Sequence, residues 1–161
     1  MITQKRLFEV CHYDPETGAF TGIIDRVRKY KAGMPFGNPE KKGYLQVSID
    51  GTTYHLHRLA WLYVTGDFPE FQIDHRNTIP NDNRFENLRA ADRYKNAQNK
   101  TYRLGKSGVR GVIRTKEGKW LAQVQANGIK VLYQLFDCLD EAGRAAQEAR
   151  AIHHGEFDRK G

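Results

Sequence analysis

Residues 73–100 read IDHRNTIPNDNRFENLRAADRYKNAQNK, an acid and a base side by side at Asp74-His75 followed by a run crowded with asparagine. Asparagine in a loop needs no special cause, because its side chain bonds neighbouring backbone readily. An adjacent Asp and His does need one. Gln72–Arg76 has the length and composition of a short strand, the asparagine-rich middle suits a loop, and residues 86–99, ENLRAADRYKNAQN, have the composition of a helix. Asp74 and His75 are therefore expected at a strand's end. Upstream, GYLQVSIDGTTYHLHRL (43–59) alternates apolar and polar residues on both sides of Asp50-Gly51, a two-residue hairpin signal, and HRLAWLYV (57–64) suggests a short buried helix. The order strand, turn, strand, helix precedes the quoted stretch.

The chain has 161 residues, 39% apolar and 28% charged, which describes one ordinary domain or two small ones. Its longest apolar run, Leu59–Val64, is far short of the roughly 20 residues a membrane-spanning helix needs. The N-terminal MITQKRLFEV lacks a signal-peptide core, so a cytoplasmic protein without a membrane partner is expected. Cys11 and Cys138 lie far apart and in no CxxC pair; they are expected as buried or incidental thiols, not a zinc site or a disulfide. The net charge is +7, and residues 100–130 hold eight Lys or Arg against the single acid Glu117. A second cluster, Arg26, Arg28, Lys29, Lys31, Lys41 and Lys42, faces only Glu40. Such clustering points to a polyanion as partner.

Asn99–Gly108, NKTYRLGKSG, has the glycines and the missing apolar period of a linker. Beyond it, GVRGVIRT, KWLAQVQA and IKVLYQLF are strand-like runs separated by Lys116-Glu117-Gly118 and Asn127-Gly128, predicting an antiparallel meander. Trp120, Ala122, Val124 and Ala126 share one face of the middle strand, leaving Leu121, Gln123, Gln125 and Asn127 on the other. Leu139, Ala142, Ala145, Ala146, Ala149 and Ile152 recur at helical spacing, with Gly155 as the stop, so a helix should cover the apolar face. The opposite face would then present polar side chains to a DNA major groove, which admits a small sheet. YDPETGAF (13–20) suggests a turn and a strand, without a role for them.

Hydrolysing a phosphodiester needs an activated water and a cation at the phosphate. Adjacent strand residues point to opposite faces, so Asp74 and His75 divide the work: one holds metal and the other takes a proton. A carboxylate suits Mg²⁺, which accepts one or two protein ligands and keeps several waters; an Asn carbonyl can be the second. HRLAWL, then IDH, then NDNRFENLR and a trailing Asn resemble the HNH nucleases of the phage homing-endonuclease kind over residues 43–100. The resemblance implies a strand-loop-strand-helix ββα-metal core with one Mg²⁺ or Mn²⁺ per site. It implies His75 as general base, Asp74 as metal ligand, Asn87 as the asparagine that orients the loop, and Asn96 as last metal ligand, with Asn99 as the alternative. Thr78 and Pro80 stand where such proteins commonly have a glycine-containing turn. His55 and His57 are expected as packing or helix-entry residues.

VRGVIRTKEGKWLAQV, KVLYQLFD and the alanine-rich helix ending HHGEF are similar to the plant ethylene-response-factor DNA-binding domain over residues 107–157. The resemblance implies that the sheet enters the major groove, with Arg110, Gln123, Gln125 and Lys130 at DNA-facing positions. Ile113, Thr115, Glu117 and Leu132 replace the Arg or Trp of the plant domains, so base preference does not transfer. Arg114, Lys116 and Lys119 are expected on phosphate. The expected fold is α+β: an N-terminal segment (1–42), an HNH core (43–100), a linker (101–108), and a three-stranded antiparallel sheet on one helix (109–158). The expected function is that of a metal-dependent, homing-type endonuclease that nicks double-stranded DNA as a monomer; the alternative is a DNA-binding regulator without catalysis on the same scaffold.

Overall fold

Asp50 and Gly51 both take left-handed backbone, with φ of 51° and 79°, as a two-residue turn between right-twisted strands requires. The computed structural model describes residues 1–23, 31–98 and 104–158. Arg26, Arg28 and Lys29 of the second basic cluster, and Asn99, lie outside the described residues. The described chain is α+β and divides into two compact units, residues 1–91 and 92–161.

In the first unit α1 (Gln4–Val10) is capped by Thr3, whose hydroxyl accepts the Arg6 amide at 3.2 Å. It runs into β1 (Cys11–Tyr13), which pairs antiparallel with β2 (Phe20–Gly22) across a turn held by the Asp14 carboxylate. β3 (Asn38–Pro39), β4 (Leu45–Ile49) and β5 (Thr52–His55) form a sheet in that order, and α2 (Leu56–Thr65) follows β5 directly. Gly66, at φ 86°, ends α2 with its amide on Leu62 O. The apolar stripe of α2, with Leu56, Leu59, Ala60 and Leu62, meets Leu7, Val10, Val47 and Ile49 in one core. Burying each leucine contributes about 1.5–3 kcal/mol.

β6 (Gln72–His75) and β7 (Leu88–Ala91) form an antiparallel ribbon, pairing Asp74 with Arg89 and His75 with Leu88. A two-stranded ribbon is marginal by itself; Ile73 and Leu88 anchor this one in the core. Arg58 of α2 donates to Phe71 O at 3.0 Å and to Pro69 O, fixing the approach to β6. The helix expected over residues 86–99 is confined to α3 (Arg93–Gln98), after a 3-10 turn at Phe85–Asn87 and β7. Pairing with β6 and burial of Leu88, Arg89 and Ala91 outweigh the modest local helix preference of ENLRAA.

The second unit opens with α3, whose first amides at Tyr94 and Lys95 bond the Asp92 carboxylate at 2.9 and 2.8 Å. β8 (Val112–Arg114), β9 (Trp120–Ala126) and β10 (Ile129–Phe136) form the expected meander, with β9 central. Asn127 and Gly128, at φ 51° and 82°, make its second turn. α4 (Leu139–His154) lays Ala142 and Ala146, both fully buried, on Val112, Ala122 and Val124. Ile152, expected in this interface, is instead 75% exposed, because the buried stripe of α4 runs through Ala142, Ala146 and His154, whose Nε2 lies 3.1 Å from Gln125 O of β9, and Ile152 falls to one side of it.

Thr78 holds φ at 62°, a left-handed conformation that costs a β-branched residue about 1–2 kcal/mol. It occupies the position where the family resemblance places a glycine turn. Thr78→Gly should raise stability by up to about 1 kcal/mol, the relief of strain exceeding the added freedom of the unfolded chain; the midpoint of urea unfolding checks this.

Candidate active site

Register sets the environment of the acid. Because Asp74 and Arg89 are direct cross-strand partners, the guanidinium reaches the carboxylate, with Nε and Nη2 donating to Oδ2 at 2.9 and 2.8 Å. Both side chains are buried, 7% and 5% exposed. A buried charge is tolerable only when paired and hydrogen-bonded, and Arg89 is the partner that burial of the Asp74 carboxyl group calls for.

Strand alternation sends His75 the other way. Its Nε2 lies 3.3 Å from Asn83 Oδ1, and since that oxygen can only accept, the imidazole donates there and carries its lone pair on Nδ1. The ring packs edge-on against His57 at 5.2 Å and lies 5.8 Å from Tyr44. His57 in turn stacks on His55 at 5.3 Å. Burial holds the His75 pKa below the ordinary imidazole range, against upward pulls from the Asn83 bond, Asp74 and Asp82. Burial, then the proximity of His75, His55 and Arg58, pushes His57 down to about 3. Nδ1 of His57 and Nδ2 of Asn83 are buried without hydrogen-bond partners, a cost of about 1–3 kcal/mol each that native structures seldom keep without a reason.

The loop joining the strands is closed by side chains. Asn87 Oδ1 accepts the Asn77 amide at 3.0 Å, and its Nδ2 donates to Asn77 Oδ1 at 3.0 Å and to Asp82 O at 2.8 Å. Asp82 takes bonds from Arg84 and Asn77, which, with Arg84 foremost, hold its carboxyl down at about 2. An open groove beside this loop is lined by Arg76, Asn77, Arg84, Glu86 and Asn87.

Of the residues singled out from sequence, the first unit thus contains Asp74, His75 and Asn87. Asn96 lies on α3 in the second unit, half-buried, its amide bonded to Asp92 O at 3.0 Å. Arg114, Lys116, Lys119, Gln123, Gln125 and Lys130 are all exposed in that unit. Arg114 lies over Trp120 at 5.5 Å and Lys130 over Tyr133 at 4.5 Å, while Lys119 meets Asp137 at 3.1 Å. Arg110 turns to Asp158 at 3.2 Å, beside Arg150 at 3.6 Å from the same oxygen. The sheet's open face is less polar than its middle strand suggests, because Ile113, Leu121 and Leu135 align in one cross-strand row.

Three residues at the site carried no expectation from the sequence: Arg89, Asn83 as the partner of His75, and Tyr44, while His57 is the packing residue at the entry of α2 that was expected. Their roles follow from strand register and loop closure; the only local signal was the Asn83 position within NDNRFENL.

Residues 54–98 match the family model described as HNH endonuclease. This match, from β5 through α3, supports a nuclease, a hydrolase acting on DNA, of a kind that generally uses a divalent metal. No curated protein and no solved structure matches the chain. Among the described residues no helix is long and apolar enough to cross a membrane. Nor, among them, do three or more His, Cys, Asp or Glu gather to hold a metal. The hard oxygen donor of Asp74 fits an ion such as Mg²⁺, which needs few protein ligands.

His57 also makes a prediction about pH. Its folded pKa lies below the unfolded value of about 6.5, so stability is fully present above that value and is lost as pH falls toward 3. Urea unfolding followed at Trp61, in a Trp120→Phe background, should show a loss of a few kcal/mol between pH 7 and 4; His57→Leu should flatten the dependence.

Proposed function

We propose that the chain is a metal-dependent, homing-type DNA endonuclease that nicks one strand, with a ββα-metal core to which β6 and β7 contribute the two strands and a separate DNA-binding sheet. The observation that carries the proposal is His75: a neutral imidazole at the end of β6, fixed in one tautomer by Asn83, next to a paired carboxylate and inside the span matched by the family model.

In this mechanism a water attacks phosphorus and gives its proton to Nδ1 of His75; the bond from phosphorus to the 3′ oxygen breaks and that oxygen takes a proton from solvent water, leaving a 3′ hydroxyl and a 5′ phosphate. Asn83 keeps the ring in the tautomer that can accept. Asn87 shapes the loop that carries Asn83. A bound Mg²⁺ or Mn²⁺, one per site, would neutralise charge on the phosphate and the leaving oxygen; Asp74 is the residue to hold it, and the family resemblance implies Asn96 as a second ligand. Arg89 holds the carboxylate in place.

For target binding, Gln123, Gln125 and Lys130 would face base edges, with Arg114, Lys116 and Lys119 on phosphate. A contact from Arg110 to DNA would compete with its pair to Asp158. One active site per chain suits a monomer and a single nick. The pairing of Asp74 with Arg89 favours one other reading, a regulator that binds DNA without cutting it.

Supercoiled plasmid carrying candidate targets, with Mg²⁺ or EDTA, separates the two. Open circles should form only with metal, and His75→Ala should lower the rate at least a hundredfold; retarded but uncut DNA would favour the regulator, and cleavage undiminished in His75→Ala would sink the base assignment. Since His75 works neutral and burial lowers its pKa, cleavage should fall on acidification with a midpoint below about 6.5. For binding in EDTA, Lys116→Ala should reduce the salt slope by about 1 and weaken all sequences alike. Gln123→Ala should leave the slope and relax base preference.

A further inference from the structure

The N-terminal hairpin, β1 and β2, lies outside the span that the family model matches, and the sequence assigned it no role. It touches the loop between β6 and β7 at three successive residues. The Tyr13 hydroxyl donates to Asn83 O at 2.7 Å, a buried bond across most of the unit. Phe85 N donates to Pro15 O at 3.0 Å. Between them Gly18, at φ 73°, lies so close to the Asn83–Arg84 peptide that a Cβ there would stand 2.5 Å from Arg84 N and 2.6 Å from Asn83 C. Those atoms are backbone, so neither could turn aside.

We infer that this hairpin is a working part of the active site, and that Tyr13 is a positioning residue acting through Asn83 on His75; the inference rests on the proposed role of His75. A loop running from Arg76 to Asn87 has many conformations available. Asn87 pins its two ends through Asn77 and reaches inward as far as Asp82 O, but it does not bond Asn83 itself, whose side chain makes the bond that selects the tautomer of His75. The hairpin grips the Asn83 backbone and leaves its side chain to His75. Tyr13 is itself held rigidly: it is 1% exposed and packs on Phe20 at 4.5 Å and Tyr63 at 5.5 Å. A catalytic group must be held within a fraction of an ångström by neighbours that are themselves locked, and the chain from Phe20 and Tyr63 through Tyr13 and Asn83 to His75 has that form.

Tyr13→Phe tests the inference, since it removes one oxygen and keeps the ring. In wild type the ¹⁵N signals of the His75 ring should show a single tautomer protonated at Nε2; in Tyr13→Phe they should move toward the average of two. The same substitution should lower kcat about tenfold with KM and DNA affinity in EDTA unchanged. Gly18→Ala should shift both readouts in the same direction. Wild-type His75 signals and wild-type kcat in a Tyr13→Phe protein of reduced stability would overturn the inference, leaving the hairpin a prop for the fold alone. The nitrogen signals are read without DNA or metal, so a His75→Ala protein that still cleaves would count against the base assignment separately.

Discussion

The side chain of Asn87 accepts one hydrogen bond and donates two across the loop that separates β6 from β7, reaching Asn77 on one side and Asp82 on the other. Loop backbone drawn into a protein must find partners for its polar groups, and here a single amide supplies several of them. Because Asn87 immediately precedes β7, its bonds fix where that strand begins and so set which residue faces Asp74. The pairing of Asp74 with Arg89, the placement of Asn83 under His75 and the groove beside the loop all depend on that closure.

Two neighbouring residues acquire opposite electrostatic surroundings from one strand. Asp74 faces a guanidinium in the buried ribbon; His75 faces an amide oxygen and aromatic rings, and burial lowers its pKa. Acid and base can stand side by side in sequence without neutralising each other because successive side chains leave a strand on opposite faces. The separation is geometrical, and burial on both faces sharpens it.

The second unit is organised differently. Small alanines on α4 let the helix approach the sheet closely, and its core is correspondingly thin. Polar contacts reinforce its far end, where Arg110 pairs with Asp158 at 3.2 Å, Arg150 donates to Arg110 O at 2.8 Å and His154 Nε2 lies 3.1 Å from Gln125 O. The net basic charge of this segment is left on the strands and turns, where Arg114, Lys116 and Lys130 are exposed, as a surface for a polyanion requires.

Much of this was legible in the residues alone: the hairpins at Asp50-Gly51 and Asn127-Gly128, α2, the meander, the helix that covers it, and an acid-base pair at a strand's end. These features rest on local rules, a turn's need for positive φ and the periods of strand and helix, which act within a few residues. What only the tertiary structure decided is non-local. Leu88–Ala91 became a strand because β6 offered a ladder; Arg89 met Asp74 through register, Arg110 turned to an acid 48 residues away, and Tyr13 reached Asn83 across 70. No periodic pattern encodes such meetings, because they depend on where closed loops and packed cores bring distant backbone together.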